Sequence, residues 1–296
     1  AMAIVLAAEL IQATVQLEQP QGDGTRTVGT GFLIASTGPD GQPATVLVTA
    51  NHVFQTMPGQ TARIGFRISN PDGSWSYSPQ PFRIRDDQGH ELWTHHPSRD
   101  VAAITIKAPP EFARAALPES YLANDETFGR YQVNPGDEMM ALGFPRGLSA
   151  NSAGFPILRA GRVASYPLAP AKVYPTFLLD FAVFPGNSGG PVFISRNGPP
   201  SAPGVTQAST PTITPAANAA SPAASGQAPP EGFIAGLLTQ QVELNNERLE
   251  IGIVTHAKYI RETIDLLKNP LAPSTVADGA TVRGARTAAA EEATRP

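Results

Sequence analysis

The feature that most constrains the fold is a succession of short β-forming runs through residues 10–195, each bounded by glycine, proline, asparagine or aspartate. Apolar and polar residues alternate from Ala13 to Glu18, as expected for a strand with one buried face. A turn at residues 39–41 separates two further runs, residues 30–35 and 44–50, which we interpret as a hairpin. Many short strands at this spacing predict β-barrels or β-sandwiches.

The predicted strands fall into two sets. The first set comprises residues 13–18, 30–35, 44–50, 62–68, 82–85 and 101–107, and the second comprises residues 138–143, 156–163, 176–181, 191–194, 232–239 and 249–254. Residues 110–135 separate the sets, so we assign an N-terminal unit to residues 10–120 and a C-terminal unit to residues 121–267. Apolar residues at helical spacing predict a terminal helix over residues 257–267.

Two segments differ in composition from this pattern. Residues 198–230 contain no charged residue and are rich in proline and alanine. Because such a composition cannot bury a core, we expect a disordered surface insertion there. Residues 270–296 are polar and rich in alanine and threonine, and we expect a flexible tail.

Composition argues against several kinds of partner and site. The formal net charge is -4 and the basic residues are scattered, so nucleic acid and anionic membranes are poor candidate partners. The chain has no cysteine, which excludes disulfides, thiolate metal sites and a cysteine nucleophile. No apolar stretch reaches the roughly 20 residues of a spanning helix, so we expect no membrane span. Adjacent residues diverge on a strand, so His95 and His96 do not predict a metal site, and we expect no cofactor.

Three polar residues stand next to these runs. His52 follows the run at 44–50, Asp100 precedes the run at 101–107, and Ser188 lies in the glycine-rich segment Gly186–Pro191. Each has an ordinary structural interpretation, as a packed or surface histidine, a turn aspartate and a glycine-rich turn. Glycines around a serine also permit a tight, partly left-handed backbone that exposes the hydroxyl and directs backbone N–H groups to one side.

The three residues together fit one chemistry. A serine hydroxyl is a weak nucleophile until a base removes its proton, and a neutral histidine is the natural base near pH 7. A carboxylate that binds the other ring nitrogen fixes the tautomer of that histidine. The order His52, Asp100, Ser188 is one of the known arrangements of such a triad. It places the first two residues in one strand set and Ser188 in the other, with the site in the cleft between them.

The sequence resembles the chymotrypsin-like serine peptidases, above all the cysteine-free HtrA/Deg-type branch found in bacteria. The matching segments are Gly29–Phe32, Thr49–Val53, Asp100–Ala102, Gly136–Asp137, Ala141–Pro145, Gly161–Val163 and Asp180–Pro191. The resemblance covers about residues 10–195 and 232–267, and it implies an all-β fold of two six-stranded antiparallel barrels with a C-terminal α-helix.

The resemblance also implies a role for individual residues. His52 would be the general base, Asp100 its orienting partner and Ser188 the nucleophile. The backbone N–H groups of Gly186 and Ser188 would form the oxyanion hole. Thr239 would lie near the triad carboxylate, and Thr239, Gln240 and Gln241 would form the edge that pairs with the substrate backbone.

Two departures from the wider family affect these expectations. Asn187 stands where digestive members have an aspartate that anchors a newly cut N-terminus, so we do not expect activation by N-terminal cleavage. The residues after 270 are too few for the PDZ domain of most HtrA proteins, so we expect a protease domain without one.

Specificity is predicted from the segment just before the serine. Ala182 occupies the pocket position six residues before Ser188, and Val183 and Phe184 are its apolar neighbours. We therefore expect small or medium apolar P1 side chains. His256 follows the run at 249–254, and we expect a solvent-facing histidine at a strand end rather than a pocket residue.

The sequence as a whole predicts a serine endopeptidase that acts on polypeptides through an acyl-enzyme intermediate. A protease fold that binds peptides without turnover and an esterase with the same triad are the alternatives. The resemblance favours a periplasmic or secreted bacterial protein, with the cytoplasm still open, and it leaves the oligomeric state unspecified.

Overall fold

The computed structural model describes residues 6–195 and 232–270. The predicted insertion at residues 198–230 lies outside the described residues, as does the predicted tail beyond residue 270.

The N-terminal half is a sheet of eight strands with short helices at its ends. Its strands are β1 (Thr14–Pro20), β2 (Arg26–Thr37), β3 (Pro43–Thr49), β4 (Thr61–Ser69), β5 (Trp75–Arg83), β6 (Thr94–His95), β7 (Ala102–Ile106) and β8 (Leu117–Pro118). Its helices are α1 (Leu6–Ala13), α2 (Asn51–Gln55) and α3 (Pro110–Ala115). The strand order is β5-β4-β1-β2-β3-β7-β6, and β8 pairs with β2 in parallel. The sequence did not predict α1, which ends where the first predicted strand begins.

Over the described residues, the predicted six-stranded N-terminal barrel is not seen as a closed barrel. In the described part of the chain, the pairing runs from β5 to β6 and does not close, although β4, β5 and β7 line one cavity of about 250 Å³. The edge strands explain this result. Pro79 and Pro81 remove two backbone donors from β5, and β6 has only two residues, so neither edge offers a full ladder to a further strand.

The C-terminal half is a closed six-stranded barrel. Its strands are β9 (Glu138–Gly143), β10 (Ile157–Val163), β11 (Thr176–Asp180), β12 (Pro191–Ser195), β13 (Gly232–Leu244) and β14 (Glu247–His256). They close in the order β10-β11-β14-β13-β12-β9. Helix α4 (Asp125–Arg130) precedes the barrel, and α5 (Ala257–Lys268) follows it. The predicted C-terminal barrel and C-terminal helix are thus confirmed.

Helix α5 joins the two halves. Its buried face includes Tyr259, Ile260 and Ile264, and it contacts β6 and β7 of the first half as well as β13 and β14 of the barrel. Residues of both halves belong to one continuous hydrophobic core. None of the described helices is both long and apolar enough to cross a membrane.

Candidate active site

His52 and Asp100 are joined by two hydrogen bonds. His52 lies in α2, directly after β3, and Asp100 lies in the turn between β6 and β7. The backbone N–H of His52 donates to Asp100 Oδ1 at 2.8 Å, and Nδ1 of the ring lies 2.5 Å from Asp100 Oδ2. A carboxylate at Nδ1 holds the ring proton there, so Nε2 of the neutral ring keeps its lone pair. The carboxylate therefore fixes both the backbone and the tautomer of His52.

Ser188 lies in the loop between β11 and β12 and is half-buried. Its hydroxyl donates to the carbonyl of Thr239 at 3.2 Å. No hydrogen bond joins Ser188 to His52 in the described part of the chain. Catalytic hydrogen bonds are often long or misaligned without substrate, so this rotamer is compatible with a nucleophile at rest.

Two glycines allow the loop around Ser188 to pack against its neighbours. Gly186 has φ +99°, and a Cβ there would lie 2.2 Å from the carbonyl oxygen of Phe144. Gly189 has φ +91°, and a Cβ there would lie 2.0 Å from the carbonyl oxygen of Thr30. Both positions need glycine because the backbone is left-handed and the space for a side chain is already occupied.

The peptide between Pro185 and Gly186 has a defined orientation. Pro185 O accepts a hydrogen bond from the backbone N–H of Arg146 at 2.5 Å. Because C=O and N–H point in opposite directions across a trans peptide, the N–H of Gly186 points away from Arg146. The N–H groups of Gly186 and Ser188 donate to no described group, so both are available to an acceptor.

Thr30 of β2 ties the Ser188 loop to the N-terminal half. Its hydroxyl donates to Gly186 O at 2.7 Å and accepts from the N–H of Phe144 at 3.3 Å, and its own N–H donates to Ser188 O at 2.9 Å. Thr30 lies in the matching segment Gly29–Phe32, and the sequence pattern indicates no role for it. The contacts of Thr30 join segments more than 100 residues apart, and the contact of Arg146 with Pro185 joins segments 39 residues apart, which no local pattern indicates.

The predicted substrate-pairing edge belongs to β13. Thr239 is buried, and its hydroxyl donates to Ile253 O at 3.2 Å rather than to Asp100. Gln240 and Gln241 follow it in β13 and pair through their backbones with β14.

The predicted pocket segment contains one core residue and two half-buried ones. Val183 is 4% exposed and belongs to the hydrophobic core, whereas Ala182 and Phe184 are half-buried. Arg159 of β10 donates to Ala182 O, and its guanidinium lies 5.5 Å from the centre of the Phe184 ring. Burial lowers the pKa of Arg159, and Glu250 opposes this shift. The Arg159 side chain therefore attaches this segment to β10, a contact that the local sequence pattern does not indicate.

Asn187 is almost fully buried at 3% exposed. Both atoms of its amide lack a hydrogen-bond partner among the described residues. The side chain is thus enclosed by the loop, and it carries no charge that an N-terminal ammonium group would need.

The expectation of a solvent-facing His256 was wrong. Its side chain is 0% exposed, and its Nδ1 accepts from the N–H of Lys258 at 3.0 Å, which makes it the N-cap of α5. Burial lowers the pKa of His256 to about 4, with Asp125 raising it and Lys258 lowering it further. Helix α5 follows β14 directly and buries this histidine at its N-terminus. The strand pattern alone does not indicate this burial.

Metal ligation is not indicated by the described side chains. Residues 6–195 and 232–270 hold no group of three or more His, Asp or Glu residues arranged to bind a metal ion. Nε2 of His96 instead lies 3.0 Å from Oε2 of Glu262 on α5.

Comparison with known proteins assigns the chain to a family. The family model of the trypsin-like peptidase domain matches residues 29–198, more than half of the chain. The chain belongs to this family, so the predicted resemblance to trypsin-like peptidases is confirmed. No curated protein sequence matches the chain.

Several solved structures are similar to the chain at low sequence identity. The HtrA-type protease AlgW, solved with a tripeptide, is 15% identical with a TM-score of 0.50, and the match covers 89% of this chain and 62% of AlgW. This chain therefore spans less than two thirds of that relative. The protease Anisep from Arthrobacter nicotinovorans is 11% identical, with a TM-score of 0.49 and coverage of 88% and 97%. The active form of the Rv3671c protease from M. tuberculosis is 17% identical, with a TM-score of 0.47 and coverage of 89% and 83%.

Proposed function

We propose that this chain hydrolyses peptide bonds through an acyl-enzyme intermediate, with Ser188 as nucleophile, His52 as general base and Asp100 as its orienting carboxylate. The observation that carries the proposal is the pair of hydrogen bonds that Asp100 accepts from the backbone and the ring of His52. A carboxylate that binds both groups fixes the position and the tautomer that base catalysis requires.

The reaction begins with transfer of the Ser188 proton to Nε2 of His52. As the proton leaves, Oγ forms a bond to the carbonyl carbon, and the carbonyl electron pair moves to oxygen. Asp100 stabilises the imidazolium, which then protonates the departing amine as the C–N bond breaks. Water repeats the sequence on the acyl-enzyme, with His52 accepting its proton, and the peptide acid leaves as the proton returns to Ser188.

The oxyanion would be held by the N–H groups of Gly186 and Ser188. Both groups are free of partners in the described structure, and the hydrogen bond from Arg146 to Pro185 O favours this orientation of the Gly186 peptide. Such donors are typically worth about 3–4 kcal/mol each in transition-state stabilisation.

Substrate binding would release the nucleophile. The carbonyl of Thr239 now accepts from the Ser188 hydroxyl. A substrate strand that pairs with β13 over Thr239, Gln240 and Gln241 would donate its own N–H to that carbonyl. The hydroxyl would then be free to turn toward Nε2 of His52, so peptide docking and nucleophile activation would be one event.

The proposed preference is for small or medium apolar P1 side chains. Ala182 and Phe184 are half-buried next to the nucleophile loop and contribute no charge. Two cations lie beside them: Arg159 donates to Ala182 O and lies 5.5 Å from the centre of the Phe184 ring, and Arg146 lies 5.3 Å from the centre of the same ring. An apolar lining of this kind selects mainly by size.

One experiment tests activity and preference together. Wild type and Ser188→Ala are treated with a fluorophosphonate and then incubated with a proteome-derived peptide library. We expect covalent labelling of wild type alone, and cleavage after Ala, Val or Leu by wild type alone. A folded wild type that binds peptides without labelling or cleaving them overturns the proposal in favour of the binding module. Hydrolysis of matched esters without any peptide cleavage favours the esterase. Enrichment of Asp or Glu at P1 contradicts the apolar preference and implicates Arg159.

A further inference from the structure

A second histidine, His96, organises the turn that carries Asp100. The turn connects β6 to β7, and the N–H of His96 donates to Val101 O at 2.9 Å across it. The ring of His96 is folded into the turn, where Nδ1 accepts from the N–H groups of Ser98 and Arg99, each at 3.1 Å. The side chain is 8% exposed. One ring therefore satisfies two successive backbone donors directly before Asp100.

The opposite edge of the ring is bound by α5. Nε2 of His96 lies 3.0 Å from Oε2 of Glu262, and Tyr259 packs edge-on at 5.2 Å between ring centres. Because Nδ1 accepts two hydrogen bonds, the proton of the neutral ring resides on Nε2 and is donated to Glu262. A continuous series of hydrogen bonds thus runs from the C-terminal helix through His96 to the residue before Asp100.

A second contact attaches the same turn to the same helix. The guanidinium of Arg99 lies 5.5 Å from the centre of the Tyr259 ring, a distance typical of a cation–π interaction. The turn is therefore held to α5 on both sides of Ser98. Strand pairing fixes β6 and β7 only up to His95 and from Ala102 onward.

We propose that His96 and Glu262 are positioning residues for the Asp100 carboxylate, an inference that rests on the proposed function. Asp100 must place two oxygens on two different donors of His52, at 2.8 Å and 2.5 Å. A displacement of the turn by about 1 Å breaks this arrangement, and misplacement on that scale can cost about 100-fold in rate. The nucleophile itself, on the other side of the cleft, is untouched.

The first test compares His96→Phe with His96→Asn. Phenylalanine keeps a ring beside Tyr259 but offers no acceptor to Ser98 and Arg99. We expect its kcat on a cleaved peptide, and its rate of fluorophosphonate labelling, to fall by about 10- to 100-fold, with KM within about twofold of wild type. Asparagine accepts from backbone N–H groups two and three residues on, as in an Asx-turn, so we expect His96→Asn to recover most of the loss.

The second test uses two polar contacts made by side chains of α5. Glu262→Leu removes the partner of His96, whereas Lys268→Leu removes the ion pair with Glu119, 2.7 Å across and remote from the turn. We expect kcat to fall about 3- to 10-fold in Glu262→Leu, to return toward wild type in Glu262→Gln, and to be unchanged in Lys268→Leu. This test also covers the case in which His96→Phe does not fold.

Three results overturn the inference: wild-type kcat in a folded His96→Phe, equal losses in Glu262→Leu and Lys268→Leu, or a loss that appears only in KM. The proposed function fails in a different way, because wild type itself would then show no labelling or cleavage that depends on Ser188.

Discussion

At the scale of single residues, the site depends on glycine positions at which neighbouring backbone atoms already occupy the space that a side chain would need. Gly186 lies against the carbonyl of Phe144, and its peptide is oriented by the N–H of Arg146. Arg146 itself has φ +53°, an uncommon value for a residue with a side chain. The orientation of the proposed oxyanion hole is therefore set by close backbone contacts between two loops.

Gly186→Ala is expected to lower kcat/KM by about 100-fold or more. The added Cβ would meet the Phe144 carbonyl at 2.2 Å, and relief of that contact moves the peptide that supplies one oxyanion donor. Steady-state hydrolysis and fluorophosphonate labelling measure the loss. Gly129→Ala in α4, where a Cβ meets nothing within 4 Å, is the matched control and should keep full activity. Wild-type rates in Gly186→Ala would show that this peptide takes no part in the reaction.

At the scale of elements, α5 does more than complete the barrel. Its N-cap is a buried histidine, its sixth residue binds the Asp100 turn through His96, and its apolar face closes the core between the two halves. Strand β14 of the barrel and the β6–β7 turn of the first sheet are thereby attached to the same helix. Motion of this helix would therefore displace the proposed base, His52, before it displaced the proposed nucleophile, Ser188.

The buried N-cap predicts a particular loss of stability in acid. The pKa of His256 is about 4 in the folded chain, against 6.5 for an ordinary histidine, so the unfolded chain takes up a proton first as pH falls. Its contribution to stability is complete above pH 6.5 and is lost progressively toward pH 4, by about 2–3 kcal/mol between pH 7.5 and 4.5. His256→Asn keeps an N-cap acceptor without a titrating ring. Urea unfolding at both pH values should show a smaller acid loss in the variant, and equal losses would contradict this origin.

At the scale of the whole molecule, one buried cation connects both halves with the N-terminal helix. Arg67 of β4 is 1% exposed and donates to the carbonyls of Ile11 and Gln12 at the end of α1 and to Gly154 O in the second half. Phe155 lies under its guanidinium at 4.5 Å. Burial lowers the pKa of Arg67 to about 10, so the side chain still carries its charge near pH 7.

Arg67→Met is expected to destabilise the protein by about 2–4 kcal/mol. Methionine fills much of the volume but leaves three carbonyls without their donor, and buried unpaired acceptors are costly. Denaturant unfolding followed by circular dichroism measures the change. Arg63→Met on the same strand is the control, because that side chain is 52% exposed and its ion pair with Glu18 spans 3.7 Å. It should cost less than about 1 kcal/mol. A similar loss of stability in both variants would show that the buried hydrogen bonds of Arg67 contribute no more than the exposed ion pair of Arg63.

The sequence by itself determined the class of fold and the residues most worth testing. Alternation along the chain predicted most strands, helical spacing predicted α5, and three short motifs pointed to His52, Asp100 and Ser188. These features are local, since each depends on residue types within about ten positions, and local preference is what a sequence displays directly. The family match covers residues 29–198, which include all three motifs.

Only the tertiary structure decided how these parts are held. The first sheet remains open because its edge strands are short or interrupted by proline, and His256 is buried because α5 folds over it. Thr30, Arg146, His96 and Glu262 acquire their roles from partners 39 to 166 residues away or from loop geometry. Such contacts depend on the path of the chain through space, and the same residue types in another register would face solvent.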